Sequence, residues 1–380
     1  MAPINLLSSM LFVSLCINFL RYSWFNPTEL SSSAETVRDR KNSSIKGMFV
    51  FGSSLVDNGN NKFLKTLAKA DYLPYGMDFP LGPSGRYTNG ENIIDILGKL
   101  LDIPAFIPAF FNPATKENHT AVGVDYACGG SGILDETGSI AGGVLSLNEQ
   151  IKKFEDVTLP QLQNQGKNRS KEELSKYLFV IGSGGNDYTL NYFLNRSKSN
   201  VSVHEFTDNL TTTLSSQLKK LYSLGAKKFV LMSLYPLGCT PRSIAAQPKR
   251  KGCDKSLNDA ALLFNANLES LVKGIRPQKP SPNFVMVNAY NIMQEIIRDP
   301  VLYGFSDATK PCCQVPRRRE GGNGISCQKG GTTCEDRNKY VYFDALHPTE
   351  AVNVELATKA FSSDSINDVY PFNIRKLAQI

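Results

Sequence analysis

The sequence predicts an α/β fold in which helices cover both faces of an open, parallel sheet. Short apolar runs that end in Gly, Ser or Asn recur along the chain, as expected for strands buried on both faces. Apolar residues at helical spacing lie between the later runs. The 380 residues are 41% hydrophobic and 20% charged, which is ordinary for a globular protein with a large core.

Four apolar runs are predicted to form strands of this sheet. They are GMFVFG at 47–52, YLFVIG at 177–182, KFVLMSL at 228–234 and NFVMVNA at 283–289. Four further segments are predicted to be helices: 92–101, 202–226, 256–275 and 350–361. In the second of these, Gly225 supplies a stop signal, and the following residues share one face: Phe206, Leu210, Leu214, Leu218 and Leu221.

The N-terminal segment has the features of a signal peptide. An uncharged, mostly apolar stretch of 17 residues precedes Arg21, the first charged side chain. We predict a signal peptide over residues 1–34, with Ser32-Ser33-Ala34 as the best cleavage pattern; an uncleaved membrane anchor is the alternative. Residues 35–380 contain no linker, no internal repeat and no other apolar segment of membrane-spanning length, so we expect them to form one domain.

Glycosylation sequons agree with secretion. Six Asn-x-Ser/Thr sites lie beyond the predicted signal, at Asn42, Asn118, Asn168, Asn195, Asn200 and Asn209. A net charge of +7 is modest for this length, and its densest clusters, QPKRKGC and VPRRREGG, read either as solvated loop surface or as weak attraction to acidic polymers or anionic lipid. An oxidising compartment argues against a nucleic-acid partner, and no obligate protein partner is evident.

The cysteines also favour an oxidising compartment. Seven remain after the predicted signal: Cys128, Cys239, Cys253, Cys312, Cys313, Cys327 and Cys334. Seven is odd, so at least one is unpaired. Four of them crowd a Gly-rich loop between 312 and 334, and two bracket another polar loop, which favours disulfides. The absence of CxxC spacing makes zinc the weaker alternative.

Candidate site residues follow the predicted strands, because ligands in open α/β sheets bind beyond the carboxyl ends of the strands. The first strand is followed by Ser53 and Ser54, and the second by SGGND. A third contribution is expected from YVYFDALHPTEA near the C-terminus, where Asp344 and His347 are three residues apart. We expect these three groups to converge.

A serine nucleophile needs a base, and this chain has three histidines. His119 lies in a sequon and His204 begins a helix beside two sequons, so both are expected on the wet surface. His347 is the remaining candidate, and Asp344 at i−3 is expected on the same side of a helical turn, within reach of Nδ1. The alternative is that DxxH followed by Pro only caps a helix.

Two glycine-rich turns offer hydrogen-bond donors to a developing oxyanion. They are ACGGSG at 127–132, with open backbone N–H groups, and GGND at 184–187, where Asn186 carries a side-chain amide. The alternative is that both are tight turns that require a positive φ.

These blocks, in the order Ser turn, Gly turn, GxND and DxxH, resemble the GDSL (SGNH) esterase/lipase family, in particular its plant-type branch. The plant pattern FGDSLVDNGNN matches FGSSLVDNGNN at 51–61 in ten of eleven letters. PLGC at 236–239, the CC pair at 312 and 313, and DALHPTEAVN at 344–353 also match, so the resemblance covers nearly all of the mature chain.

The resemblance implies Ser54 as nucleophile, His347 as base and Asp344 as the acid that orients it. Ser54 N–H, Gly130 N–H and Asn186 Nδ2 would form the oxyanion hole. The family fold is a three-layer α/β/α, flavodoxin-like SGNH-hydrolase domain with about five parallel strands. Members are mostly secreted hydrolases of small-molecule or polymer-linked esters that use no metal or organic cofactor, and some are acyltransferases.

The chain departs from the family pattern at several positions. Ser53 stands where the naming motif has Asp, which we expect to cost only modest activity because that Asp is not the acid of the triad. Asp125 replaces the usual Asn, and Cys128 replaces the usual Ser and is the natural odd thiol, expected as a small buried side chain. Phe343 replaces the common Trp, as a packing change.

Three functions remain open from the sequence. The first is a secreted serine esterase or lipase acting on lipid or cell-wall esters, with transient contact to lipid or wall. The second is an acyltransferase that uses the same acyl-enzyme. The third is a catalytically silent binding protein, suggested by Ser53 alone. An α/β-hydrolase with a nucleophile elbow is excluded because GxSxG does not occur.

Overall fold

The computed structural model describes residues 45–115, 121–164, 173–195, 200–247, 252–275 and 283–380. The predicted signal peptide, residues 1–34, lies outside these ranges. The strands are β1 Gly47–Gly52, β2 Gly123–Asp125, β3 Tyr177–Gly182, β4 Lys228–Met232, β5 Asn283–Val287, β6 Asp307–Pro311, β7 Tyr340–Tyr342 and β8 Val369–Tyr370. Six of them form the main sheet in the order β2-β1-β3-β4-β5-β8, and β6 pairs with β7 in a separate two-stranded sheet.

The main sheet confirms the predicted α/β class. Its first five strands are parallel and follow the flavodoxin-like order 2-1-3-4-5, while β8 adds an antiparallel edge to β5. All four predicted strands form, although β4 and β5 end two residues before the predicted limits. The sequence did not indicate β2 or β8, because segments of three and two residues are too short to show a period.

Helices cover the sheet in two groups that pack among themselves. The helices are α1 Ile93–Leu100, α2 Leu147–Lys153, α3 Leu159–Asn164, α4 Phe193–Asn195, α5 Val203–Leu224, α6 Pro241–Ala245, α7 Lys255–Ile275, α8 Ala289–Arg298, α9 Glu350–Ser362 and α10 Ile374–Gln379. One group comprises α2, α5 and α7, and the other comprises α1, α8, α9 and α10. This arrangement agrees with the predicted layers of helices on either side of a sheet.

The longest helix, α5, follows from local sequence signals. Ser202 and Glu205 form a capping box at its start, and Gly225 ends it with a left-handed φ of 116°. The predicted leucine stripe is buried. All four predicted helices form within two residues of the expected bounds, whereas the other six helices of the described residues were not predicted.

Three disulfides stabilise the loops, as the cysteine count predicted. They join Cys239 to Cys253, Cys312 to Cys334, and Cys313 to Cys327. Cys128 is buried and unpaired. Within the described ranges no helix has both the length and the apolar content to cross a bilayer.

Candidate active site

Ser54 lies in a turn that directly follows β1, the strand between β2 and β3. The turn is closed by a hydrogen bond from Val56 N to Ser53 O at 3.1 Å. In the flavodoxin-like order the chain passes from β1 to β2 on one side and then crosses to β3 on the other, so the carboxyl end of β1 lies at the switch point where such sheets bind ligands. The loops after β2 and β3 therefore flank Ser54 on either side.

A continuous hydrogen-bond chain joins Ser54, His347 and Asp344. Ser54 Oγ lies 2.7 Å from His347 Nε2, and His347 Nδ1 lies 2.7 Å from Asp344 Oδ2. Asp344 is fully buried and receives donors only, so its carboxylate accepts the Nδ1 proton and leaves Nε2 free to accept from Ser54. The three sequence-predicted residues come together in an arrangement able to remove a proton from a serine hydroxyl.

The expected helical turn between Asp344 and His347 was wrong. Residues 343–347 form bends, and Asp344 Oδ1 accepts hydrogen bonds from Leu346 N at 2.8 Å and His347 N at 2.7 Å. An aspartate that bonds the backbone two and three residues ahead makes a local turn without a helix. This turn, rather than a helix face, brings the carboxylate to the imidazole.

Tyr75 holds the other side of the Asp344 carboxylate. Its hydroxyl donates to Asp344 Oδ2 at 2.6 Å and accepts from Cys327 N at 3.1 Å. Burial, followed by the negative charge of Asp344, raises the pKa of Tyr75 well above its usual value, so the hydroxyl stays a donor. The Cys313–Cys327 disulfide therefore lies one hydrogen bond from the residue that contacts Asp344.

Tyr87 packs against the imidazole of His347. The two ring centroids are 4.9 Å apart at an interplanar angle of 36°. The Tyr87 hydroxyl donates to Ala68 O at 2.8 Å and accepts from Asn61 Nδ2 at 3.0 Å. These contacts fix the ring on which His347 rests.

In the glycine turn after β2, the N–H groups of Gly129 and Gly130 are bonded differently. Gly129 N donates to Asp57 Oδ2 and to Asn61 Oδ1, both at 3.0 Å, so it is occupied. Gly130 N has no acceptor within the described residues, and its φ of 89° favours glycine. Both interpretations of this turn from the sequence therefore hold. The turn requires a positive φ at Gly130, and it leaves the Gly130 N–H available as a donor to an oxyanion.

Asn186 stands beside the same turn. Its Nδ2 donates one hydrogen to Ser131 O at 2.9 Å, which leaves the second hydrogen available. The next residue, Asp187, accepts from Ile133 N at 2.9 Å and Leu134 N at 3.0 Å. These bonds tie the loop after β3 to the loop after β2 and thereby fix Asn186 relative to the glycine turn.

Ser53, the departure from the family motif, makes only weak side-chain contact. Its Oγ lies 3.5 Å from Gly182 O, to which its own N–H already donates at 3.0 Å. The preceding Gly52 is held firmly instead, because the amide of Gln150 both donates to Gly52 O at 2.9 Å and accepts from Gly52 N at 2.8 Å. Hydrogen bonds to the backbone of residues 52 and 53, rather than a contact of the Ser53 side chain, fix the start of the serine turn.

The DNGNN segment that follows the serine turn is almost entirely buried. Asp57 Oδ1 accepts from Gly59 N and Asn60 N, and Asn60 Nδ2 donates to the carbonyls of Asp125 and Ala127. Asp125, where the family has Asn, accepts from Asn58 N at 2.7 Å. Burial raises the pKa of Asp57 to about 6 and that of Asp125 well above its usual range.

Cys128, which replaces the usual Ser of the family, is buried and unpaired. Cys128 donates to Asn61 Oδ1 and accepts from Leu145 N, and burial raises the pKa of its thiol, so it is an unreactive buried group as expected. Phe343 is buried against Tyr75.

Among the predicted surface residues, His204 is exposed. The sequons at Asn195, Asn200 and Asn209 are exposed, whereas Asn42, Asn118, Asn168 and His119 lie outside the described residues.

A cavity of about 470 Å³ opens over this site. Its lining includes the four residues that carry the predicted chemistry, Ser54, Gly130, Asn186 and His347, and most of the remaining surface is apolar. Ser54 N, like Gly130 N, has no acceptor within the described residues. The described part of the chain holds no cluster of three His, Cys, Asp or Glu residues that could bind a metal ion.

Sequence reasoning missed the residues that support the site. Tyr75, Tyr87 and Gln150 are far from the four blocks along the chain, and no local pattern marks them. Asp57 and Asn61 had a signal, since a dense Asp/Asn segment beside an apolar strand is expected to make many short-range hydrogen bonds.

Comparison with known proteins agrees with the geometry. The family model described as GDSL-like Lipase/Acylhydrolase matches residues 48–360. Similar proteins include two from Arabidopsis thaliana that are both named GDSL esterase/lipase. One is 36% identical over 90% of this chain and 94% of its own length, and the other is 38% identical over 87% and 92%.

Proposed function

This chain belongs to the GDSL-like lipase and acylhydrolase family, and from that premise we propose that it is a secreted serine hydrolase of carboxylic esters, acting on esters of lipid or cell-wall type through an acyl-enzyme. The observation that carries the proposal is the unbroken contact from Ser54 Oγ through His347 to Asp344, at 2.7 Å for each step. This contact lies in a cavity with open donors.

In the first half of the reaction, Ser54 Oγ attacks the ester carbonyl carbon while its proton passes to His347 Nε2. The carbonyl oxygen becomes an oxyanion, which accepts hydrogen bonds from Ser54 N, Gly130 N and Asn186 Nδ2. The bond to the alcohol oxygen then breaks, its electron pair stays on that oxygen, and the imidazolium returns the proton to it. Asp344 stabilises the imidazolium throughout.

In the second half, a water molecule attacks the acyl-enzyme. His347 takes a proton from the water, and the oxyanion forms again in the same place. When the bond to Ser54 Oγ breaks, His347 returns the proton to the serine and the carboxylic acid leaves. No group outside the chain, other than ester and water, enters this balance.

Secretion is supported by the three disulfides and by three exposed sequons, at Asn195, Asn200 and Asn209. Disulfides form and persist mainly in oxidising compartments. In this setting the partners are the ester substrates themselves, with transient contact to lipid or cell wall.

A fluorophosphonate probe tests the nucleophile directly. We expect the purified protein to be labelled and to hydrolyse short p-nitrophenyl esters, and the Ser54→Ala variant to do neither. Ser53→Ala is the matched control, because it removes the adjacent hydroxyl and should still be labelled. Absence of both labelling and hydrolysis in the wild type would contradict the proposal and favour a silent binding protein.

A further inference from the structure

Two cavities contact Ser54. The larger, of about 470 Å³, is the one that contains His347 and Gly130. A second cavity of about 50 Å³ also contacts Ser54 and Asn186, but neither His347 nor Gly130 lines it. An ester held at Ser54 has two substituents, the acyl chain and the alcohol, and the two cavities offer each a separate place.

The position of His347 assigns each substituent to a cavity. The imidazole must hand its proton to the departing alcohol oxygen, so that oxygen has to lie on the His347 side of Ser54. His347 lines only the larger cavity. The alcohol therefore occupies the larger cavity, and the acyl chain points into the smaller one.

The smaller cavity is lined mainly by apolar groups. Its walls include Met232 on β4, Met293 on α8 and Leu356 on α9, all of them buried. Its volume of about 50 Å³ is a small fraction of the 470 Å³ of the larger cavity. The close packing of protein interiors makes further extension costly.

The larger cavity has an apolar, exposed mouth. Leu67, Ile140 and Leu194 line it, with exposed fractions of 80%, 60% and 43%. Exposed apolar side chains grouped around one cavity are typical of a binding site for an apolar ligand.

We propose that the preferred substrates are esters in which a short acyl group is joined to a large apolar alcohol. This inference rests on the proposed ester hydrolase function and specifies its substrate class. It places the selectivity for the acyl group in the pocket bounded by Met293 and the selectivity for the alcohol at the Leu67–Ile140–Leu194 mouth.

The acyl arm of the test uses p-nitrophenyl esters with acyl chains of two to twelve carbons. We expect kcat/KM to be highest for short acyl chains and to fall by about tenfold or more at ten carbons, because each added methylene must fit into the smaller cavity. A preference of the wild type for the ten-carbon ester would overturn the proposal, without recourse to any variant.

Two methionine variants test whether the smaller cavity limits the length of the acyl chain. Met293→Ala removes a wall and should move the optimum to longer chains by about two carbons. Met286→Ala is the matched control, because Met286 is equally buried but lines neither cavity, and it should leave the profile unchanged. Ala289→Leu fills the pocket and should move the optimum towards acetyl esters. An unchanged profile in folded Met293→Ala and Ala289→Leu contradicts the assignment.

The alcohol arm uses acetates of ethanol, hexanol and dodecanol, and an acetylated sugar. We expect kcat/KM to rise by about tenfold or more from ethyl to hexyl acetate. Leu67→Ser with Ile140→Ser should remove most of that rise, which is read as the ratio of kcat/KM for hexyl acetate to kcat/KM for ethyl acetate in each variant. The control pair is Leu81→Ser with Ile366→Ser, which are exposed to a similar extent and lie outside both cavities.

The two proposals fail in different ways. If no ester is hydrolysed and Ser54 is not labelled, the hydrolase function itself is wrong. If Ser54 is labelled and esters are hydrolysed, but the acetylated sugar is preferred over hexyl acetate, only the substrate class is wrong.

Discussion

Asp344 shows at the scale of single residues why the site needs more than three side chains. Its carboxylate accepts four hydrogen bonds, from Tyr75, His347 Nδ1 and the two backbone groups of its own turn. A buried carboxylate is costly unless its oxygens are bonded in this way. Only one of the four bonds serves the proposed proton transfer, and the others keep the carboxylate in position.

Tyr75→Phe is expected to lower kcat by about tenfold and leave KM nearly unchanged, because a bond to a charged group is lost without loss of shape. Steady-state kinetics on a short ester gives kcat and KM separately. Tyr72→Phe is the matched control, since its hydroxyl donates to Cys327 O at 2.9 Å in the same cluster and does not contact Asp344. Equal losses in both variants would indicate a general structural effect and contradict the positioning role.

Ser53→Asp is expected to raise kcat/KM by about tenfold or less. The Gly52 backbone is already fixed by Gln150, and a single added hydrogen bond contributes about 1 kcal/mol. Gln150→Leu removes both bonds to Gly52 and should lower kcat/KM more than Ser53→Ala does. A gain of a thousandfold or more in Ser53→Asp would show that the carboxylate of the family motif is needed here.

At the scale of elements, the site is built where neighbouring strands end. The loops after β2, β1 and β3 supply Gly130, Ser54 and Asn186, and these strands are adjacent in the sheet. His347 comes from the segment between β7 and α9, which hydrogen bonds connect to the Gly-rich loop, including Ala345 N to Ile325 O at 3.0 Å. The disulfide loop therefore supports the imidazole side of the site.

Two of the disulfides join residues at the same sequence separation, so their removal can be compared to test whether the Gly-rich loop supports the imidazole side of the site. Cys239–Cys253 and Cys313–Cys327 both join residues 14 apart, so loss of either should cost about 3 kcal/mol of unfolding free energy in the chain-entropy account. Denaturant unfolding of the two double Cys→Ser variants measures this cost. The variant that lacks Cys313–Cys327 should also lose kcat, through Tyr75. Equal kcat in the two folded variants would contradict that link.

At the scale of the whole molecule, buried carboxylates set a pH dependence of stability. Asp187 is fully buried, and desolvation raises its pKa from 3.8 to about 6 despite its bonds to Ile133 N and Leu134 N. The folded chain therefore binds this proton more tightly than the unfolded chain does. The stabilisation is complete below pH 4 and is lost as the pH rises through 6.

Asp187→Asn should remove this dependence. A rise in pKa from 3.8 to about 6 corresponds to about 3 kcal/mol, so wild-type stability relative to the variant should fall by that amount between pH 3.5 and 7.5. Denaturant unfolding at several pH values measures it, and Asp208→Asn on the exposed face of α5 is the control. A constant or rising difference would contradict the raised pKa. Asp57 titrates in the same range in both proteins and cancels in the comparison.

The sequence by itself determined the α/β class, four strands, four helices and the blocks that hold Ser54, Asn186 and His347. These features follow from the spacing of apolar residues and from turns and helix caps, and residues close together in the chain determine both. The short strands β2 and β8 escaped prediction because their pairing is decided by the rest of the sheet. The turn at Asp344 was mistaken for a helical one because a spacing of three suits both.

Only the tertiary structure decided which residues hold the site in place. Tyr75 meets Asp344 across 269 positions of the chain, and Gln150 meets Gly52 across 98. Contacts of this kind depend on how strands and loops pack, and no local pattern in the sequence specifies them. The two cavities at Ser54 have the same origin, since their walls come from elements spread over most of the chain.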